Sequence, residues 1–515
     1  MISRDYIDLY CRHQRDEGLN RRENRSWIVR AARVSRSVAA CLLVGLLATA
    51  CESPPAPVQP ECRTRRDCAD GFTCVAGDCV MVSSTVGDPC DREADCGPGQ
   101  TCATTGFDGD GDGEPDTLSP TCQPSAELIP AGAACASNDE CASSACSFGR
   151  CIELCMQDDD CRRGGAACVE VPYMFSPRAI DEYKGCMPAA GVLAVDLPTD
   201  DDGLVHVPVP GNALSLTLVT DIGDPNMMVG MTRLVSPSGT LLWNKPGATD
   251  PIGIEQPVRY APGTETSSFM LPSSSEAQLE PGVYRVNVAA WQRNQLLARL
   301  QPRVRAIYRL GVEGKTLDIN FHFMNLVDHA CVGSKPLDAT RAAEKTSQWQ
   351  TEVLPSWRTA FSQAGLALGT ISYVDEKGRP DLDAVRPDEL GALFELGDRN
   401  RPGLDVYVVR SLYPLGVLAA SGGAPGPLEK GTAHSGIVVS ADALCVLGHD
   451  DFGRLIAHAA ARYLGLFETV DVNGRHDPLT STSDSANNLV YFRLGASSQL
   501  TDEQADILRK SPVLR

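Results

Sequence analysis

Sixteen of the chain's 21 cysteines lie between Cys62 and Cys186, in four groups that each open with the same C-x5-C spacing. The groups are Cys62, Cys68, Cys74 and Cys79; Cys90, Cys96, Cys102 and Cys122; Cys135, Cys141, Cys146 and Cys151; and Cys155, Cys161, Cys168 and Cys186. Segments of roughly 20 to 35 residues cannot bury enough apolar area to fold unaided, so cross-links that restrict the unfolded chain must supply much of their stability. Four Cys per group imply two disulfides, and the spacing does not choose among the three connectivities. Zinc is the competing explanation, weakened because the groups lack the paired C-x2-C knuckles of structural zinc sites.

So many clustered thiols point to an oxidising compartment and hence to export. At the N-terminus, Arg30, Arg33 and Arg36 precede an apolar run from Val38 to Leu47, then Ala48-Thr49-Ala50-Cys51 and a Pro-rich stretch. This order resembles a bacterial lipoprotein signal, with Ala48 where Leu is usual. The resemblance implies a lipid on Cys51, attachment to a membrane through it, and a place in the cell envelope, at the outer membrane or cell surface. Residues 1–28 are polar and too long for the leading part of such a signal, which puts the working start near residues 29–34. A transmembrane anchor is the alternative, but about ten apolar residues fall short of the roughly twenty a bilayer core needs. The net charge of −20 argues against nucleic acid and anionic headgroups as partners.

At 515 residues the chain is expected to be multidomain. We read a signal region over 1–50, a linker over 51–61, four Cys-rich modules over 62–190, a β-sandwich over 191–312 and an α/β domain over 313–515. The modules resemble the small Dickkopf N-terminal type found in tandem in exported bacterial proteins, which implies binding or spacing. Within the second, "FDGDGDGEPD" sets Asp108, Asp110, Asp112 and Asp116 among glycines. Alternating carboxylates on a Gly-rich turn suit Ca²⁺, which takes six to eight oxygens. The stretch resembles EF-hand and thrombospondin type 3 loops, although Ser119 stands where a bidentate Glu is expected; a solvated acidic loop is the plain alternative.

From Gly191 to Leu310, alternating segments such as "ALSLTLVT" and "GVYRVNVAAW" between turn signals predict strands. "LVSPSGTLLW" and "LEPGVYRVNV" resemble the pre-peptidase and jelly-roll modules that accompany secreted proteases.

The last 200 residues predict strands at "TLDINFHFMNL", "GTISYVD", "LDVYVVR" and Ile437–Ser440, an amphipathic helix from Asp338 to about Ala364 interrupted at Pro355, and a Gly/Pro loop between Leu418 and Gly436. Residues 450–468, "DDFGRLIAHAAARYLGLFE", resemble the metzincin zinc-protease signature HExxHxxGxxH. His458 keeps the first ligand and Gly465 the turn. Ala459 stands at the general base, Arg462 at the second His and Glu468 at the third, while Val490 takes the Met position after Asn488-Leu489. An Ala-rich core helix with a Gly C-cap would look similar.

The resemblance therefore implies a degenerate metallopeptidase without catalytic residues or zinc, in which Arg462 and Glu468 pair in the ligands' stead. Cys331 and Cys445 are the remaining candidates for a disulfide. The leading functional expectation is a non-catalytic, surface-anchored pseudoprotease that binds a protein or peptide, since an extended peptide can add to a sheet edge without metal. The rivals are an active zinc peptidase recruiting His434, His449 or His476, and a purely structural envelope lipoprotein.

Overall fold

Each cysteine module closes on a short antiparallel hairpin: Phe72–Val75 with Asp78–Met81, Gln100–Phe107 with Thr117–Pro124, Cys146–Ser147 with Arg150–Cys151, and Ala166–Phe175 with Arg178–Pro188. The third and fourth Cys of a module are cross-strand partners. Their side chains therefore share one face and take the first and second Cys respectively. The pairing is first-to-third and second-to-fourth throughout: 62–74 and 68–79, 90–102 and 96–122, 135–146 and 141–151, 155–168 and 161–186. The C-x5-C loop is held by the acid preceding the second Cys. Asp67 accepts the N–H groups of Arg63 and Thr64, Asp95 those of Asp91 and Arg92, Glu140 that of Ala136, and Asp160 those of Met156 and Gln157, at 2.6–3.2 Å.

This computed structural model describes the chain from Cys62 to Arg515 apart from residues 65–66, 70, 76, 110–114, 126–127, 176–177, 225, 245–264, 275–276, 293–294, 298–300, 327–328, 330, 332–336, 470–476, 478, 480–485 and 492–497. The signal region, Cys51 and the linker lie outside the described residues. So do Asp110, Asp112 and His476. No helix among the described residues is long and apolar enough to cross a membrane. The disulfide-rich region is followed by sheet-dominated structure with few helices.

Two antiparallel sheets come next. Their strands are β1 (Gly191–Leu197), β2 (Leu204–Val209), β3 (Ala213–Asp221), β4 (Met228–Val235), β5 (Leu241–Asn244), β6 (Thr266–Leu271), β7 (Gly282–Gln292) and β8 (Arg303–Leu310). One sheet runs β2-β7-β4-β5 and the other β6-β3-β8-β1. Alternation drives the packing: Leu216 and Leu218 of β3 meet Val205, Val207, Met231, Leu234 and Val286 from the opposite sheet in one core. The intervening Ser215 and Thr217 are also fully buried. They are covered because the C-terminal region lies on the outer face of this sheet, where Ser215 Oγ donates to Lys510 O at 2.6 Å and Ser268 Oγ to Pro425 O at 2.6 Å.

The C-terminal sheet has the order β10-β9-β11-β13-β12, with β9 (Thr316–Phe323), β10 (Ala367–Asp375), β11 (Leu404–Val409), β12 (Ala419–Ser421) and β13 (Ile437–Ser440). Strands β10, β9, β11 and β13 are parallel, and β12 pairs antiparallel to β13 at the edge. Thus part of the stretch read as a Gly/Pro loop is an edge strand, too short for its alternation to register in sequence. Leu317, Ile319, Phe321 and Phe323 of β9 face a core with Trp349, Trp357, Phe361 and Phe452. Phe321 meets the Trp349 ring edge-on at 5.0 Å.

The expected helix over 338–364 is segmented: α1 (Ala339–Ala343) stops at Glu344, and a wide π turn at Trp349–Val353 runs into α2 (Leu354–Ser362). The interruption is therefore upstream of Pro355, which sits in the first turn of α2, where a residue without N–H is tolerated. After α3 (Leu390–Phe394), helix α4 (Asp442–Tyr463) is broken at Gly448, with φ 77° and ψ 175°. The final helix α5 (Asp502–Arg509) is capped reciprocally by Thr501 and Gln504.

Candidate functional site

Helix α4 lies on the sheet through small residues; Ala457, Ala459, Ala460 and Ala461 are all buried in the main core. Ala459 is therefore a packing residue, with a methyl group facing the core. His458 is partly exposed, and its Nδ1–H donates to the Leu489 carbonyl at 2.7 Å. That bond fixes the neutral tautomer and leaves the ring's lone pair on Nε2. Burial, with the nearby Arg462 guanidinium adding to it, pushes the imidazole down to about 4.

One turn on, Arg462 Nη1 donates to Glu468 Oε1 at 2.8 Å. Gly465 lies between them at φ +122°, a conformation that favours glycine, and a Cβ there would come within 2.5 Å of Met270 Cε from β6. Val490 is fully buried in the same core. Asn488, two residues before it, exchanges amide hydrogen bonds with Gln504 at 2.8 and 3.2 Å, so the turn that receives His458 is tied to the cap of α5. The structure thus brings together His458, Arg462 and Glu468, with Gly465 and Val490 as their frame.

His434, His449 and His329 have separate partners. His434 Nδ1 donates to Gly422 O at 3.0 Å and lies 4.0 Å from Glu265, and burial lowers its basicity. His449 lies 3.9 Å from Glu352. Cys331 is bonded to Cys445 beside His329, whose Nε2 meets Asp442 Oδ1 at 2.9 Å. Among the described residues, no group of three His, Cys, Asp or Glu donors within 4.8 Å of one another includes His458. In the acidic loop, Asp116 Oδ2 accepts the Gly109 N–H at 3.0 Å, and Asp108 follows the strand ending at Phe107.

Sequence reasoning missed a polar seam on the second face of the sheet. Asn320 and His322 of β9 and Asp405 of β11 are each about as buried as the aromatic residues opposite, at 2–3% exposure. His322 bonds Glu376 at 2.7 Å and Asp405 at 3.4 Å; Asp405 also takes Lys430 Nζ at 2.7 Å and Asn320 Nδ2 at 3.0 Å. Burial disfavours the imidazolium of His322, but the bonds to Asp405 and Glu376 outweigh it and hold the group above its ordinary value. The signal was available in the D-x-N-x-H alternation of "LDINFHF", which reads as a solvated face unless a covering layer is known.

No family model matches the chain, and no curated protein matches it. Among solved structures, a Bacillus subtilis protein titled YXIM is similar at 14% identity over 42% of this chain and 48% of that one, with a TM-score of 0.11. The match spans about half of that protein's length, and a likeness at this level carries no argument about fold or function.

Proposed function

We propose that this protein is a non-catalytic binding module of the cell envelope, built on a degenerate metzincin-like scaffold. In this reading the paired sheets are a jelly-roll or pre-peptidase-like domain, the Dickkopf-type modules are a spacer or second binding element, and a lipid on Cys51 holds the chain at the membrane. One observation carries it: two of the three positions where the zinc signature requires histidines hold Arg462 and Glu468 in an ion pair beside His458. A guanidinium at a ligand position repels a divalent cation, and Ala459 supplies no carboxylate to activate water. The short edge strand β12 offers backbone groups to an extended peptide, a mode of capture independent of metal.

The neutral imidazole of His458, whose lone pair is on Nε2, is what favours the second reading, a zinc peptidase completed by other ligands. Metal analysis of the purified protein together with digestion of an unstructured protein substrate separates the two. Substoichiometric zinc and no chelator-sensitive cleavage are expected; one tightly held zinc per chain with cleavage would establish the peptidase. If neither peptides nor proteins are then captured by the intact chain, the envelope role is structural. Calcium at Asp108, Asp110, Asp112 and Asp116 is a separate element of the proposal, tested by Ca²⁺ titration of the same material.

A further inference from the structure

The described residues hold nine disulfides, and eight of them lie in the cysteine modules, a stretch from Cys62 to Cys186 that contains no histidine. The ninth, Cys331–Cys445, differs in two respects. Cys445 is the only exposed cysteine among the described residues, and Cys331 behind it is half-buried. A histidine also stands beside the bridge: a nitrogen of the His329 ring, Cys331 Sγ and a carboxylate oxygen of Asp442 lie within 4.8 Å of one another.

Two local relations place these groups. On α4, Asp442 and Cys445 are three residues apart and so share a face. After β9, the Cys331 N–H donates to His329 Nδ1 at 3.2 Å, which puts the ring proton on Nε2, where it bonds Asp442 Oδ1 at 2.9 Å. The ring is 6% exposed, whereas Val446, next to Cys445, is 63% exposed. The bridge therefore has a solvent side at Cys445 and a protein side, lined by the imidazole, at Cys331.

Thiol–disulfide exchange needs access to one sulfur and a ready departure of the other, and departure is eased where a neighbouring group neutralises the leaving thiolate. The cysteines of the modules are all buried or half-buried and have no such neighbour. We propose that Cys331–Cys445 is a thiol-exchange site that takes a thiol of low molecular weight as a mixed disulfide on Cys445. The external thiolate bonds to Cys445 Sγ, and the Sγ–Sγ bond breaks with its electron pair going to Cys331 Sγ. The proton that the external thiol gave up reaches that sulfur through the His329 imidazole. One disulfide replaces another, so no further oxidant or reductant is consumed. The site shares no residue with the zinc signature.

Incubating the intact, folded chain with glutathione, quenching with N-ethylmaleimide at intervals and mapping the peptides tests this. Glutathione on Cys445 with the maleimide on Cys331 is expected about tenfold sooner than modification of any module cysteine. His329→Gln, whose amide can serve the same two neighbours, should slow the opening about fivefold, with the module cysteines still protected as a sign that the fold is intact. A merely structural ring would give the opposite sign, since its loss loosens the segment and speeds attack. Module cysteines reacting as soon as Cys445, glutathione landing on Cys331, or no reaction short of unfolding would each overturn the site. Opening in His329→Gln at the parent's rate or faster would overturn the part assigned to the histidine.

Discussion

Arg462 and Glu468 meet across the Gly465 turn at 2.8 Å, the arginine side chain 35% and the glutamate 13% exposed. The pair joins the C-terminal end of α4 to the segment that follows, where Arg462 Nε is buried with no hydrogen-bond partner among the described residues. Arg462→Met and Glu468→Leu should each cost about 1–2 kcal/mol, because each leaves the other charge half-buried and alone. The double variant should cost less than the sum by about 1 kcal/mol. Urea unfolding of all four proteins measures this coupling, and a coupling of zero would remove the ion pair from the list of what holds the turn.

His458 makes stability depend on pH. Its folded value is depressed from 6.5 to about 4, so between these values the unfolded chain binds more protons than the folded one. The contribution is complete above pH 6.5 and is lost as pH falls toward 4, by about 3 kcal/mol. His322 works in the opposite sense, since its folded value is raised. The effect is therefore read as a difference: His458→Asn, which can keep the bond to Leu489, should lose less stability than the parent between pH 7 and 4.5.

Cys331 and Cys445 close a loop of 114 residues that contains β10, β11 and most of the remaining sheet. Loop-closure entropy predicts that Cys331→Ser with Cys445→Ser costs about 3–5 kcal/mol. Thermal unfolding under non-reducing conditions should show the loss in the C-terminal sheet, while peptide mapping still recovers the first-to-third, second-to-fourth links in all four modules.

Gly465→Ala separates backbone strain from crowding. The Met270 Cε that a new methyl would meet is the end of a flexible side chain and can move, whereas φ +122° remains. A cost of about 1–3 kcal/mol is expected, and adding Met270→Ala should not restore it. Full rescue by the second change would show that crowding, not conformation, reserves the position for glycine.

Much of the fold could be read from alternation and spacing. The four cysteine groups, the strands from Gly191 to Leu310 and Ile437–Ser440 all carry local signals that their tertiary setting does not override. The disulfide connectivity was not readable, because it follows from the hairpin register that sets Cys74 against Cys79 and Cys102 against Cys122. A clue went unused, however: an Asp or Glu precedes every second Cys, and its carboxylate folds the loop. Ser215, Thr217, Asn320 and His322 escaped for another reason, since polar residues at alternate positions read as solvent-facing and only long-range packing buries them. The grouping of His458, Arg462 and Glu468 could be read only through a motif.

The modules' first-to-third, second-to-fourth links span only 10–26 residues and never cross from one module into the next. Oxidation can therefore proceed vectorially, each module locking as soon as its own hairpin has emerged, with no need of an isomerase to undo bridges between modules. The Cys331 thiol, by contrast, must wait for more than a hundred further residues before its partner exists, which makes its closure the late step in maturation.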